Sequence, residues 1–406
     1  MPTPLPHSAR PSALALLFAL AGCVCPLTAQ DFTLRLGQSG YESVDAVFPE
    51  EALGGLKGGF YFGLAGNVTY DSNFFIDDDY TESELTTVVA PWMSYRSDPE
   101  GGARISVEAS YSPALQVYMN NSDFTGVDHS GSVAITYRAN RTTLSLHADY
   151  AEVSMADRIA GDFVEGSILS YGIDGSHQLG PRTTLFGSWV AAMTDYDSGG
   201  RTGADSYTAE VAGLWDASER LRFGPALRYS VTESDATGER DALALLLKAR
   251  FKSGERLRLA ASGGVEFEKN SRLGNDWDPS LTGGLSADYL LSERWSFRAT
   301  IRYATVPSPS NLNYQVNDLS FTSAVIRHFE RASLELGAGI GMSDYEAVGR
   351  VAANQQDDDY LTAYLTYRRK IFSDRVTFDS TVRGSTNDGQ KDWSQWQIST
   401  GLRMEF

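Results

Sequence analysis

The sequence predicts an all-β protein: a transmembrane antiparallel up-and-down β-barrel of about 18 strands, or 16 if one hairpin is misjudged, with periplasmic termini. Three observations carry this reading. Long runs alternate apolar and polar residues at period two, short turns closing on Arg recur along the chain, and aromatic residues stand at both ends of the apolar strips.

The 406-residue chain carries a net charge of −18, so it lacks the clustered basic footprint of a nucleic-acid partner. Beyond the N-terminus no apolar run approaches the roughly 20 residues of a spanning helix. Barrel strands escape that test because only every second residue faces lipid.

Residues 1–29 read as an export signal, with Arg10, the apolar "SALALLFALAG" and a small-residue cleavage point after Ala29. A second reading stands beside it: "LAGC" matches the bacterial lipoprotein pattern and would leave Cys23 lipidated. Cleavage after Ala29 removes Cys23 and Cys25, the only two cysteines, and with them any disulfide or thiolate metal site. Residues 30–59 form an N-terminal periplasmic segment with a Gly-rich end and a short helix expected over Val44 to Leu53. The barrel is assigned to residues 60–406.

The recurring turns are "YRANRTTLSL", "QLGPRTTLF", "DASERLRF", "KSGERLRL", "LLSERWSF", "HFERASLEL" and "FSDRVTF". Longer acidic segments separate them, including "YDSNFFIDDDYTES", "MNNSDFTGVDH" and "EVSMADRIAGDFVEG". The result is a hairpin repeat of roughly 40 residues with short and long connections in alternation. A propeller blade has a similar period but no such alternation.

Within a strand, successive side chains take opposite faces. "LRFGPALRYSV" sets Leu221, Phe223, Pro225, Leu227, Tyr229 and Val231 against Arg222 and Arg228. "DALALLLKARF" sets Leu243, Leu245, Leu247, Ala249 and Phe251 against Lys248 and Arg250. "WSFRATIRY" sets Trp295, Phe297, Ala299, Ile301 and Tyr303 against Arg298 and Arg302. The apolar strips end in aromatics, Tyr137, Phe223, Phe251, Trp295, Tyr367 and Phe378 near the short turns. Tyr70, Tyr111, Tyr150, Trp189, Tyr229 and Tyr303 stand near the long loops. Two belts bounding an apolar band match a bilayer with two interfaces. Arg327 is the apparent exception on the lipid face, where a cation at mid-depth costs about 2–4 kcal/mol. Closure requires the first strand, "FYFGLAGNVTY", to pair with the last, "WQISTGLRMEF".

"NVTYDSNFFID", with the Arg-punctuated hairpins and the terminal Phe, resembles the β-barrel porin type 2 family. The resemblance covers the chain from about Gly59 and centres on Tyr70 to Asn73. It implies an outer-membrane barrel associated with exopolysaccharide export or acting as a porin, and it brings no catalytic residues. The C-terminal alternation of Ile398, Thr400, Leu402, Met404 and Phe406 resembles the sorting signal of the outer-membrane assembly machinery.

Candidate chemistry is sparse. His129 lies at a long-loop strand end beside Asp128 and Ser130, while His147, His177 and His328 lack metal-ligand spacing. Two Asp runs, Asp77, Asp78, Asp79 and Asp357, Asp358, Asp359, suit Ca²⁺ or divalent bridging to lipopolysaccharide, or else a solvated loop. No cofactor is implied. The inward face is read as Arg222, Arg228, Lys248, Arg250, Arg258, Arg298, Arg302 and Arg403 with Glu108, Glu210, Glu266, Glu268, Asp288 and Glu405. Charge rings of this kind set solute preference in pores. Bases are expected to gather toward the short turns and acids toward the loops. The third long loop is expected to fold inward as a constriction. The functional reading is a channel for hydrophilic solutes, with polysaccharide export components as further partners. The alternative is a non-transporting structural or adhesion barrel.

Overall fold

The computed structural model describes residues 58–77, 81–97, 102–157, 162–197, 203–234, 238–272, 276–307, 314–347, 357–389 and 392–406. The export signal with Cys23 and Ala29, the segment before residue 58, and Asp78 and Asp79 lie outside them.

The first six strands are β1 (Gly59–Asp71), β2 (Glu84–Arg96), β3 (Ile105–Tyr118), β4 (Gly126–Arg138), β5 (Thr142–Asp157) and β6 (Asp162–Gly180). Next come β7 (Thr183–Tyr196), β8 (Ala204–Asp216), β9 (Leu221–Ser234), β10 (Gly238–Ser253), β11 (Leu257–Asn270) and β12 (Asp278–Ser292). The last are β13 (Trp295–Pro307), β14 (Tyr314–His328), β15 (Ala332–Ala347), β16 (Asp358–Lys370), β17 (Val376–Asp388) and β18 (Trp393–Glu405). They form one 18-stranded antiparallel sheet in which each strand pairs with its sequence neighbours. β1 also pairs with β18, from Gly63 opposite Glu405 to Asp71 opposite Gln397, so the sheet closes. Closure removes both edges, which in lipid would leave backbone groups unsatisfied.

The register fixes which face each residue takes. Phe60, Phe62, Val68 and Tyr70 of β1 share the outer face with Tyr95, Met93 and Val89 of β2. Leu227 stands opposite Leu245, and Leu245 opposite Val265; all three are exposed to the surroundings. Tyr229, Tyr303, Trp189, Tyr137 and Trp295 lie on the same outer face, on the two levels expected from the strips.

Arg327 occupies the outer face opposite Trp295, one residue from the turn-side end of β14. Its guanidinium lies 5.2 Å from the Trp295 ring centre and 4.8 Å from that of Phe329. Stacking at the interface spares the cation a mid-depth position. The register there is regular, and the apparent exception is a belt residue.

The short connections share one backbone device. Arg104, Arg141, Arg182, Arg220, Arg256, Arg294, Arg331 and Arg375 each stand immediately before an odd-numbered strand from β3 to β17. Each carbonyl accepts the amide of the following strand's end, at 2.7–2.9 Å, from Arg138, Gln178, Asp216, Lys252, Leu290, His328, Lys370 and Glu405 respectively. Each Arg therefore extends the ladder by one rung.

The C-terminus belongs to the same closure. Leu402 and Met404 lie opposite Gly66 and Leu64 on the outer face, and the Phe406 amide donates to the Phe62 carbonyl at 2.8 Å. The Phe406 side chain is 70% exposed beside the apolar exterior. Two outcomes are expected. Leu245→Arg on the outer face should lower stability in lipid by about 2–4 kcal/mol while Thr300→Arg on the inner face should not, as read by denaturant titration in bilayers. Phe406→Asp should reduce the heat-modifiable folded fraction recovered from membranes.

Candidate functional site

The inner faces enclose a lumen with two different mouths. At the loop-side mouth a carboxylate organises each of the first two long connections. Asp71 accepts Gln395 and Gln397 side-chain amides of β18 at 2.8 Å, and the Asn73 amide at 2.9 Å. Ser72 exchanges two bonds with the Trp396 backbone, at 2.7 and 2.9 Å. Asn73 donates to the Ser394 and Asp77 carbonyls at 3.1 and 2.9 Å. The stretch from Asp71 to Asn73 thus fastens the first loop to the closing strand.

Glu84, only 1% exposed, gathers the second loop. Its carboxylate accepts the backbone amides of Leu85, Met119, Asn120 and Asn121 at 2.7–3.0 Å, and the Asn121 side-chain amide at 2.8 Å. Charge-assisted bonds of this kind are roughly twice as strong as neutral ones.

Between these anchors the loops pack an aromatic cluster. Phe74 of the first loop lies 5.3 Å from Tyr118 and 4.7 Å from Phe163, and Phe163 lies 4.6 Å from Phe124 of the second loop. Tyr118 sits on the inner face of β3, yet its hydroxyl donates to the Ser154 carbonyl of β5 at 3.4 Å. Asp128, on the inner face of the intervening β4, accepts the Ser154 hydroxyl at 3.0 Å and the Gln116 amide. The β5–β6 hairpin therefore leans across the inside of β4. The loop-side ends of β5 and β6 are held inward by Ser154 and Phe163, while residues 158–161 of the third long connection, expected as a constriction, lie outside the described residues.

Deeper in the lumen, charges pair along the wall from β8 to β13. Arg228 meets Glu266 at 2.8 Å across Ala244, whose fully buried methyl leaves room for the contact. Arg240 joins Glu266 at 3.0 Å and also pairs with Glu268. Lys248 pairs with Glu210 over β9, where Gly224 stands opposite Lys248. Arg222 meets Asp216 at 2.6 Å, and Arg298 meets Asp288 at 3.1 Å. Arg250 lies opposite Arg222, Arg258 opposite Asp288, Arg302 opposite Gly284, Arg403 opposite Ala65, and Glu108 opposite Arg96. All these residues share the inner face. Just turnward of Arg228 the same face carries a packed apolar group, Ala212, Leu214, Ala226, Ala244 and Leu246, with Phe186 against it.

The wall around the closure is different. On β15 and β1, Gly337 and Gly63 face inward and leave no space for a Cβ, because the Tyr364 and Trp92 rings lie flat against them. The Arg383 guanidinium covers Tyr364 at 5.6 Å, and that of Arg403 covers Trp92 at 4.8 Å. Alternation alone does not reveal these stacks, since inward aromatics look like errors in an otherwise polar face.

The expected axial separation of charge holds at the loop side of β1 to β4 and fails elsewhere, as at Arg240 near the loop-side end of β10. Asp71, Glu84 and Asp128 stand at the loop side, but Glu108, Asp216, Asp288, Glu335 and Asp379 occupy the turn-side half of the inner face. The reason is local pairing: Asp216 and Asp288 each hold an Arg of the next strand.

The histidines remain dispersed. His129 faces outward, its Nδ1 2.8 Å from the Tyr111 hydroxyl and its backbone amide donating to Glu152 at 2.8 Å. His147 meets Asp174 at 3.1 Å in the lumen, His177 meets Thr142 at 2.9 Å, and His328 meets Ser296 at 3.0 Å. Of the Asp runs, Asp358 is buried and accepts the Tyr345 hydroxyl at 2.5 Å, while the Asp77 amide donates to Asn73 at 3.2 Å. Among the described residues no group of three or more His, Cys, Asp or Glu is placed to hold a metal ion.

No family model and no curated protein matches the sequence. Solved structures do resemble the fold. The Pseudomonas aeruginosa OccK2 (OpdF) structure in complex with glucuronate matches 86% of this chain and 100% of its own, at 11% identity and a TM-score of 0.50. Acinetobacter baumannii OccAB4 matches 86% of this chain and 98% of its own, at 10% identity and a TM-score of 0.48. At these identities the likeness is one of fold: a closed 18-stranded barrel.

The aromatic cluster gives a direct expectation. Truncating a buried Phe removes about 3–5 kcal/mol of packing. Phe74→Ala combined with Phe163→Ala should release the loop-side cap, seen as faster limited proteolysis of the first three long connections with the barrel still intact.

Proposed function

We propose that the protein is an outer-membrane channel for hydrophilic solutes. One observation carries the reading: around the closed sheet the outer face is apolar between two aromatic belts, while the inner face is polar and charged. A barrel of 16–18 strands in porins leaves an aqueous passage. An exterior of this kind has no favourable solvent except a bilayer.

The finer parts of the proposal rest on sequence resemblance. The motif at Tyr70 to Asn73 links the chain to exopolysaccharide export, with export components as partners. Phe406, Met404 and Leu402 form the address read by the outer-membrane assembly machinery. Lipopolysaccharide would surround the loop-side belt.

The packed aromatic cap favours a second reading, a structural barrel that does not transport. Purified protein in planar bilayers separates the two. A channel is expected to give discrete conductance steps that grow when Phe74 and Phe163 are both replaced by Ala. Silence from both proteins, inserted and heat-modifiable, would leave only the structural barrel.

A further inference from the structure

We infer that the eight turn arginines form a cationic ring at the turn-side mouth and capture multivalent anionic solutes bearing phosphate or carboxylate groups. The inference deepens the channel reading and rests on it.

The ring follows from register. Leu221 stands opposite Phe251 on the outer face, and Arg222 opposite Arg250 on the inner face. One rung further toward the turn, Arg220 binds the Lys252 amide and takes the inner-face position. The other seven arginines hold the equivalent rung of their own hairpins. The ladder partners on that rung include Arg138, Lys252 and Lys370 against only Asp216 and Glu405 as acids. Cations therefore dominate this rim of a chain whose net charge is −18.

The fold does not ask for Arg at these positions. The structural contact is made by the main-chain carbonyl, which any residue supplies. All eight side chains are exposed, and none forms an ion pair among the described residues. Five turns place an acid just before the Arg: Glu219, Glu255, Glu293, Glu330 and Asp374. These acids sit in the turns themselves, and among the described residues named here the rim still carries eleven cations, the eight Arg with Arg138, Lys252 and Lys370, against seven acids, these five with Asp216 and Glu405.

Arginines on alternate strands stand roughly 9–10 Å apart. That is close to the screening length of about 8 Å at physiological salt, so neighbouring fields overlap there and separate at 1 M, where the length is about 3 Å. A multivalent anion that spans several guanidiniums gains from each fork, whereas a monovalent anion meets one at a time. The loop-side mouth carries Asp71, Glu84 and Asp128, and its Arg240 is paired with Glu266 and Glu268, so capture should be one-sided.

The test is single-channel recording in neutral phosphatidylcholine bilayers with inorganic tripolyphosphate added to one side at a time. Tripolyphosphate on the turn side should block current at 0.15 M KCl and lose that effect at 1 M. The variant R220Q/R256Q/R294Q/R331Q should weaken the block roughly ten-fold. A quadruple Arg→Lys variant keeps the charge and should retain most of it, which guards against misfolding in the Gln protein. Equal block from both sides, or a block unchanged in a folded Gln variant, overturns the ring. If the Gln variant changes only insertion into vesicles containing phosphatidylglycerol, the arginines serve lipid headgroups and the inference fails. Absence of any conductance would sink the channel reading separately. Tripolyphosphate binding to the detergent-folded protein by calorimetry then decides the ring: weaker binding by the Gln variant supports it, and equal binding refutes it.

Discussion

Everything in this molecule follows from the need to satisfy every backbone amide and carbonyl where no water can do it. Each group left open in lipid costs several kcal/mol, so the sheet must close. The pairing of β1 with β18 supplies that closure. Once the ring is complete, alternation of side chains divides the protein into an apolar outside and a polar inside. The closure is also where the first loop is fastened, because Asp71, Ser72 and Asn73 bond directly to β18. The short stretch from Asp71 to Asn73 thus has a mechanical role at the seam between the first and last strands.

The two mouths are built by different means. On the loop side, buried carboxylates collect backbone amides, and aromatic rings from three connections pack into a cap. On the turn side, each Arg carbonyl bonds the end of the following strand and so links one short-turn hairpin to the next, with eight guanidiniums left exposed. Between the mouths, charges neutralise one another over small residues such as Ala244 and Gly224. Pairing holds these side chains close to the strands, and this keeps the passage polar with its buried charges matched by opposite ones.

Much of this was legible in the primary structure. Strand faces, both belts, the pairing of the termini and the inward positions of Arg222 to Arg302 could be read from period two. Arg327 could not, because its place depends on where β14 ends, and one residue's shift toward the turn converts a mid-membrane charge into an interfacial one. The inward aromatics Trp92 and Tyr364 were also hidden. Their partners are Gly63 and Gly337 on neighbouring strands, and a gap on one strand filled from another leaves no local signature. Phe163 was equally opaque as a cap residue, since its contacts come from loops far apart in sequence.

Local chemistry in the chain settled the architecture: alternation and turn residues are short-range signals, and closure converts them into a barrel. Which charges meet, which rings lie flat, and which loops lean across the lumen were settled between strands: adjacent ones for Asp216 with Arg222 and Trp92 with Gly63, next-but-one for Arg228 with Glu266, and farther ones for Phe74 with Phe163. The contacts that skip a strand depend on the relative height of non-adjacent strands, a quantity that exists only once the sheet has twisted and closed.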